Sequence, residues 1–127
     1  MNWCCITSPW WMSPARSWGL RRWCAGSPQV EIATNQITGV EALVRRRDPQ
    51  RRLMAPGDFI PMAEQTGLIQ PLGHWVLQAA CQQLALWSIR PATAGLTLAV
   101  NVSARQFRHP EFVSQVIALL KDTGANP

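Results

Sequence analysis

The stretch from Ile37 to Arg45 limits the folds open to this chain more than any other part of the sequence. Its alternation is typical of a β-strand, in which successive side chains point to opposite faces. One face is an ordinary packing surface made of Thr38, Val40, Ala42 and Val44. The other face is made of Ile37, Gly39, Glu41, Leu43 and Arg45. A fold that uses this strand must therefore supply partners for a carboxylate and a guanidinium on an otherwise apolar run.

Two kinds of partner fit the charged pair on this strand. Glu41 and Arg45 can form ion pairs with other parts of the core, since structural ion pairs produce the same pattern. Alternatively, Glu41 binds a metal ion and Arg45 binds a phosphate, because carboxylates suit hard cations and guanidinium groups suit phosphate oxygens. The strand alone leaves both interpretations open.

The residues around this strand predict a hairpin followed by a short helix. Residues 29 to 33 form the first strand of the hairpin, and Thr34 to Gln36 form its turn. Residues 46 to 55 are predicted to be a charged loop. Asp58 then caps a short helix that ends at Thr66 and Gly67.

A longer helix, a strand and a further helix are predicted next. Pro71 opens an amphipathic helix of about five turns, because apolar residues recur at steps of three and four up to Trp87. Residues 96 to 102 alternate as a strand, with Asn101 near its carboxyl end. Pro110 opens the last helix, which Gly124 closes.

This order of elements predicts an α/β fold, either a barrel or a doubly wound sheet. In a barrel, reactive groups project from the carboxyl ends of the strands. Glu41, Leu43, Arg45 and Asn101 would then face inward, and the carboxylate and amide oxygens would converge on a hard cation. Two oxygen ligands are too few to hold Mg²⁺ tightly, so further ligands are required. His74 and His109 are predicted to be surface residues with no second metal ligand at helical spacing.

Composition narrows the partners and the compartment. A net charge of +5 suits an anionic partner, but the arginines form short clusters without the interleaved aromatic residues of a nucleic-acid-binding surface, so no nucleic-acid polymer is expected. The four cysteines have no Cys-x-x-Cys spacing, which indicates reduced thiols in a cytoplasmic protein. The sequence contains neither an apolar run of about 20 residues nor a signal peptide. Any membrane anchor of a parent protein would lie elsewhere.

Residues 1 to 27 differ from the rest of the chain. Five of the seven tryptophans and three of the four cysteines lie there, with no helical or strand period. We interpret this segment as a leader that results from mistranslation or a junction, or that is disordered. The alternative, a tryptophan-rich membrane-surface segment, lacks the amphipathic repeat that such a segment needs. Residues 28 to 127 form the predicted domain.

Several motifs in residues 28 to 127 resemble, in order and spacing, the amino-terminal part of the EAL domain. They are Glu41-Ala42-Leu43 with Val44-Arg45, the run from Pro56 to Ile69, Leu72 to Leu77, Ala80-Cys81, and Asn101 to Phe107. The resemblance implies an incomplete TIM-like (β/α) barrel made of the first strands and helices only.

The same resemblance implies a bacterial phosphodiesterase that hydrolyses cyclic di-GMP to linear pGpG with Mg²⁺ or Mn²⁺. By the family's pattern, Glu41 and Asn101 are metal ligands, and Leu43 and Arg45 contact the dinucleotide. The family also implies a sensor or diguanylate-cyclase domain in the parent protein, and dimerisation.

Departures from the family pattern limit the expected activity. Gly26-Ser27-Pro28 stands where the family usually has Tyr-Gln-Pro, which implies the loss of one ligand contact, and Arg46 and Arg52 replace the usual Trp and Gly. The family's later Glu, Asp-Asp-Phe-Gly-Thr-Gly loop, catalytic Lys and final Glu have no counterpart in the sequence. We therefore expect the polypeptide as written to be truncated and inactive. A degenerate module that binds cyclic di-GMP or a protein without catalysis, and a gene product with no function, are the alternatives.

Overall fold

The computed structural model describes residues 3–5, 25–48, 50 and 52–127. Its strands are β1 (Trp3–Cys5), β2 (Ala25–Glu31), β3 (Gln36–Arg47), β4 (Leu53–Met54) and β5 (Thr97–Val100). Its helices are α1 (Pro56–Gln65), α2 (Ile69–Ser88), α3 (Ala104–Phe107) and α4 (Phe112–Thr123). Most of the predicted leader lies outside the described residues, so its origin stays a prediction.

Strands β2 and β3 form the predicted hairpin. The turn between them closes with a 2.8 Å hydrogen bond from the amide of Asn35 to the carbonyl of Glu31, and Asn35 takes a positive φ of 54°. Asparagine tolerates this left-handed conformation better than most residues. The first strand begins at Ala25 rather than at the predicted Gln29, and its pairing shifts between Gln29 and Val30. The missed part of the strand contains Gly26 and Pro28, which are rare in strands, and this explains why the sequence pattern placed its start too late.

Strand β3 is the centre of the sheet. Glu41 pairs with Ser27 of β2 on one side and with Ala99 of β5 on the other, so both edges of β3 are covered at this point. Further along, Arg46 pairs with residues of both β1 and β4. Among the strands of the described residues, β5 alone runs parallel to β3, and the chain between these two strands forms β4, α1 and α2. This crossover from strand through helix to parallel strand is the unit from which α/β folds are built.

The predicted charged loop at residues 46 to 55 is in part a second hairpin. Strand β4 pairs antiparallel with the end of β3, which extends to Arg47 instead of ending at the predicted Arg45. Asp48 holds the connecting turn, because its carboxylate accepts 2.8 Å hydrogen bonds from the backbone amide and from Nε of Arg52. The sequence analysis missed this hairpin because β4 has only two residues and its neighbours are charged, so no apolar alternation marks it.

Helix α1 begins at Pro56, two residues before the predicted cap at Asp58. Asp58 lies in the first turn, and its carboxylate accepts a 3.2 Å hydrogen bond from the amide of Ala55 just before the helix. Proline suits the first helical position, and an acidic residue in the first turn is favourable there. The helix ends before Thr66 and Gly67, as predicted.

Helix α2 begins at Ile69 and has 20 residues, which agrees with the predicted length of about five turns. It packs its apolar face against α1 and the sheet. The main core cluster consists of Phe59, Ala63, Ile69, Leu72 and Val76. Val44 of β3 and Val100 of β5 pack against this cluster, which confirms that these alternating positions face the helices.

The connection after β5 contains a helix that the sequence analysis missed. Helix α3 is only four residues long, too short to produce a period. Helix α4 then begins at Phe112, two residues after Pro110, and ends at Gly124, whose φ of +69° suits glycine. A second cluster of Cys81, Leu119 and Ala125 joins α4 to α2. None of the helices in the described part of the chain has the length and apolarity needed to cross a membrane.

Candidate metal and phosphate site

The parallel strands β3 and β5 bring the two predicted metal ligands together. The Nδ2 atom of Asn101 donates a hydrogen bond to Oε1 of Glu41, with 2.7 Å between them. Asn101 follows directly after β5 and is exposed, whereas Glu41 is half-buried in the middle of β3. Side chains 60 positions apart in the sequence thus meet at the carboxyl end of the parallel pair.

The register that produces this contact depends on Gly39. A Cβ at this position would lie 2.3 Å from Oγ1 of Thr97 and 3.0 Å from the carbonyl oxygen of the same residue. Because Gly39 has no side chain, β3 and β5 can approach closely at this point. The hydroxyl of Thr97 lies in the space beside Gly39 and donates a 3.3 Å hydrogen bond to the carbonyl of Thr38. Because Gly39 pairs with Thr97, Glu41 comes to lie opposite Ala99, two residues before Asn101.

The donor set of this pair fits a hard divalent cation. A carboxylate and an amide oxygen are the ligands that Mg²⁺ and related ions prefer, and the exposed Asn101 leaves its Oδ1 available. Among the described residues, no group of three or more His, Cys, Asp or Glu side chains is arranged to hold a metal ion. Two oxygen donors alone would not complete the coordination shell of such an ion.

Arg45 and Leu43 follow Glu41 on the same strand. Both are half-buried, and the Nη1 atom of Arg45 donates a 3.0 Å hydrogen bond to the carbonyl of Val44. Within the described ranges, the ion pair that the structure contains joins Arg52 to Asp48 and does not involve Arg45. Within these ranges the guanidinium group of Arg45 therefore has no carboxylate partner.

A groove of about 310 Å³ is lined by Asn101 but by neither Glu41 nor Arg45. Strand β3, helices α1 and α2 and the segment after β5 form its walls. Most of the lining is apolar, including Leu43, Ile60 and Val76, and a few polar side chains converge on it, among them Glu64, Asn101 and Gln106. A mainly apolar groove with a few polar groups is typical of a small-molecule site.

Helix α3 fixes the segment that carries Asn101. Ser103 caps this helix by accepting a 3.2 Å hydrogen bond from the amide of Gln106, and Oε1 of Gln106 accepts one of the same length from the amide of Ser103. Arg105 donates to the carbonyl of Glu64 at the end of α1, and Gln70 of α2 donates to the carbonyl of Arg105. Sequence reasoning missed these residues, although Ser103-x-x-Gln106 is a capping-box pattern that the sequence displays.

The two histidines lie where the sequence predicted. His74 and His109 are both exposed, and Nδ1 of His109 accepts a 3.3 Å hydrogen bond from the amide of Glu111. Neither belongs to a group of metal-ligating side chains within the described part of the chain.

Comparison with known proteins identifies the family. The family model of the EAL domain matches residues 27–127. The chain is 43% identical over 94 residues to the cyclic di-GMP phosphodiesterase PA2567 of Pseudomonas aeruginosa, and 46% identical over 89 residues to the bifunctional diguanylate cyclase/cyclic di-GMP phosphodiesterase MucR of the same organism. The chain therefore belongs to the EAL domain family.

Solved structures give the same result for the fold. The structure of the PaMucR phosphodiesterase in complex with c-di-GMP matches with a TM-score of 0.76 and 41% identity, over 82% of this chain and 42% of that one. The mixed sheet and its helices are thus part of a TIM-like barrel, which confirms the predicted fold class. The chain spans 16% of the length of PA2567 and 13% of that of MucR, and these matches cover 74% and 70% of the chain.

Proposed function

We propose that this segment forms the amino-terminal part of the active site of a cyclic di-GMP phosphodiesterase, which hydrolyses cyclic di-GMP to linear pGpG. The observation that carries the proposal is the 2.7 Å contact between Asn101 and Glu41, close to where the parallel pairing of β3 and β5 ends. The relatives named as cyclic di-GMP phosphodiesterases give the substrate.

Each candidate residue has a role that its chemistry supports. Glu41 and the amide oxygen of Asn101 hold the divalent cation, either Mg²⁺ or Mn²⁺. Arg45 binds a phosphate of the dinucleotide, since a guanidinium group matches phosphate oxygens. Leu43 lines the groove between β3 and the helices and gives an apolar surface for a planar guanine base.

The cation itself contributes charge neutralisation at the phosphate and activation of water when it is bound. The side chains of this chain then have two tasks, to orient the cation through Glu41 and Asn101 and to hold the phosphate through Arg45. Because two protein ligands leave most of an octahedral shell to other donors, we propose that the 127-residue chain alone does not hydrolyse cyclic di-GMP at a measurable rate.

A chimera tests the catalytic proposal directly. Residues 27–127 replace the equivalent segment of the MucR phosphodiesterase domain, and pGpG formation is followed by chromatography in the presence of Mg²⁺ or Mn²⁺. We expect hydrolysis that stops when the metal is chelated. A chimera that folds and binds cyclic di-GMP but forms no pGpG would favour the alternative of a binding module without catalysis.

The cooperation of this segment with a sensor or diguanylate-cyclase domain stays a prediction, as does dimerisation. The bifunctional name of MucR supports the first of these.

A further inference from the structure

Gln106 is the most buried polar side chain near the candidate site. It is only 5% exposed, although the residues on either side of it, Arg105 and Phe107, are exposed. A buried amide requires hydrogen-bond partners, because an unsatisfied polar group in the interior is costly. Oε1 of Gln106 meets this requirement by accepting the hydrogen bond from the amide of Ser103, two residues after Asn101.

The space for the Gln106 side chain exists because residue 73 of helix α2 is a glycine. A Cβ at Gly73 would lie 1.3 Å from Nε2 and 2.3 Å from Cδ of Gln106. The amide therefore lies directly against the backbone of α2, and no other residue at position 73 would leave it there. Gly73 and Gln106 both line the groove that adjoins Asn101.

Asn101 thus lies between two fixed elements. On one side, β5 is held by its parallel pairing with β3. On the other side, α3 is held by the hydrogen bonds of Arg105 and Gln70, and by the seat of Gln106 on Gly73. The capping hydrogen bonds between Gln106 and Ser103 connect this second element to the backbone next to Asn101.

We propose that Gln106 is a positioning residue for Asn101. Its side chain, seated on Gly73, fixes the backbone of Ser103 and so keeps the Asn101 amide within hydrogen-bond reach of Glu41. The importance of this for catalysis rests on the proposed function, but the geometric effect on Asn101 does not. Loss of the Gln106 acceptor would release the segment after β5 while leaving the core cluster intact, since Gln106 is not a member of that cluster.

Two substitutions of similar size separate positioning from space filling. Gln106→Met fills the same volume without an acceptor for the Ser103 amide. Gln106→Glu keeps a carboxylate acceptor, which is the other residue that capping boxes use at this position. Gln82→Met, on the exposed side of α2, is the matched control for the introduction of methionine.

The readout is the side-chain amide signal of Asn101 in a ¹⁵N-labelled sample of the full chain, assigned with Asn101→Ala. In the parent chain and in Gln106→Glu, we expect the signal of an amide that donates to a carboxylate. In Gln106→Met, we expect it to move towards the signal of the exposed Asn126, with a melting temperature close to that of the parent. In the same variant, the affinity for cyclic di-GMP should fall by about 3- to 30-fold, which is the range for loss of one capping interaction.

Two results would overturn the proposal. One is an unchanged Asn101 signal in Gln106→Met, and the other is equal perturbation by Gln106→Met and Gln106→Glu. If Gln106→Met does not fold, Gly73→Ala displaces the Gln106 side chain instead and must shift the same signal in the same direction. Failure of the chain to bind cyclic di-GMP would contradict the proposed function but leave the Asn101 signal to decide this inference.

Discussion

The side-chain amide of Asn101 donates to the carboxylate of Glu41 across the parallel strands β3 and β5, with 2.7 Å between nitrogen and oxygen. This contact joins the two halves of the candidate metal site. It depends on the register that Gly39 permits and on the anchored helix α3 that follows Asn101.

Removal of the charge of Glu41 should abolish the metal-dependent reaction without unfolding the domain. In the chimera with MucR, we expect Glu41→Gln to lower pGpG formation at least about 100-fold, because a catalytic metal supplies several kcal/mol of transition-state stabilisation. Asp122→Asn removes an equal charge from the exposed face of α4 and should retain full activity. Equal losses in both variants would contradict a specific role for Glu41.

Arg45 should contribute to nucleotide binding rather than to stability. We expect Arg45→Ala to weaken cyclic di-GMP binding by about 10- to 100-fold, since a hydrogen bond to a charged group contributes about 1.5–3 kcal/mol. Titration calorimetry measures this affinity, and Arg90→Ala, at an exposed arginine far along the chain, is the control. Unchanged affinity in Arg45→Ala would show that the guanidinium does not bind the phosphate.

A methyl group at position 73 should destabilise the chain, whereas one at position 57 should not. Gly73→Ala forces Gln106 out of its seat, and we expect a loss of about 1–2 kcal/mol from the broken cap. Gly57→Ala in α1 meets nothing within 4 Å and should stabilise the chain by about 0.5–1 kcal/mol through helix propensity. Chemical denaturation compares the two, and a stable Gly73→Ala chain would argue against the packing described.

Burial should protect Cys81 from alkylation. Burial raises the pKa of the Cys81 thiol above its ordinary value, so less of the reactive thiolate exists at neutral pH. The rate of alkylation of Cys81 should therefore rise only at more alkaline pH. Iodoacetamide labelling read by peptide mass spectrometry should show slow modification of Cys81 at pH 8 and fast modification in urea. Equal rates under the two conditions would contradict the packing of α4 against α2.

The alternation of residues 37 to 45 and 96 to 102 was sufficient to predict both strands of the site. Each strand has one face that packs against helices, which is the face of Val44 in β3 and of Val100 in β5, and the charged Glu41 and Arg45 were therefore assigned to the other face. The meeting of Glu41 with Asn101 followed, because parallel strands end at the same edge of a sheet. Their roles as metal ligands stay predictions.

Very short elements and single long-range contacts were not predictable in this way. Strand β4 has two residues and α3 has four, so neither produces a period. The amide of Gln106 packs closely against the backbone at Gly73, 33 residues earlier in the chain. No local sequence pattern encodes such a contact. Gly26 and Pro28, which are rare in strands, concealed the start of β2.

Paramagnetic broadening by Mn²⁺ in a ¹⁵N-labelled sample of the chain tests the central claim most directly, because it detects even weak binding by two ligands. We predict that the signals of Glu41, Ala42 and Asn101 broaden at the lowest Mn²⁺ concentration, and that Glu41→Gln removes the effect. Broadening centred on Asp48 or Asp122, with the signals of Glu41 and Asn101 unchanged, would contradict the assignment of the metal site.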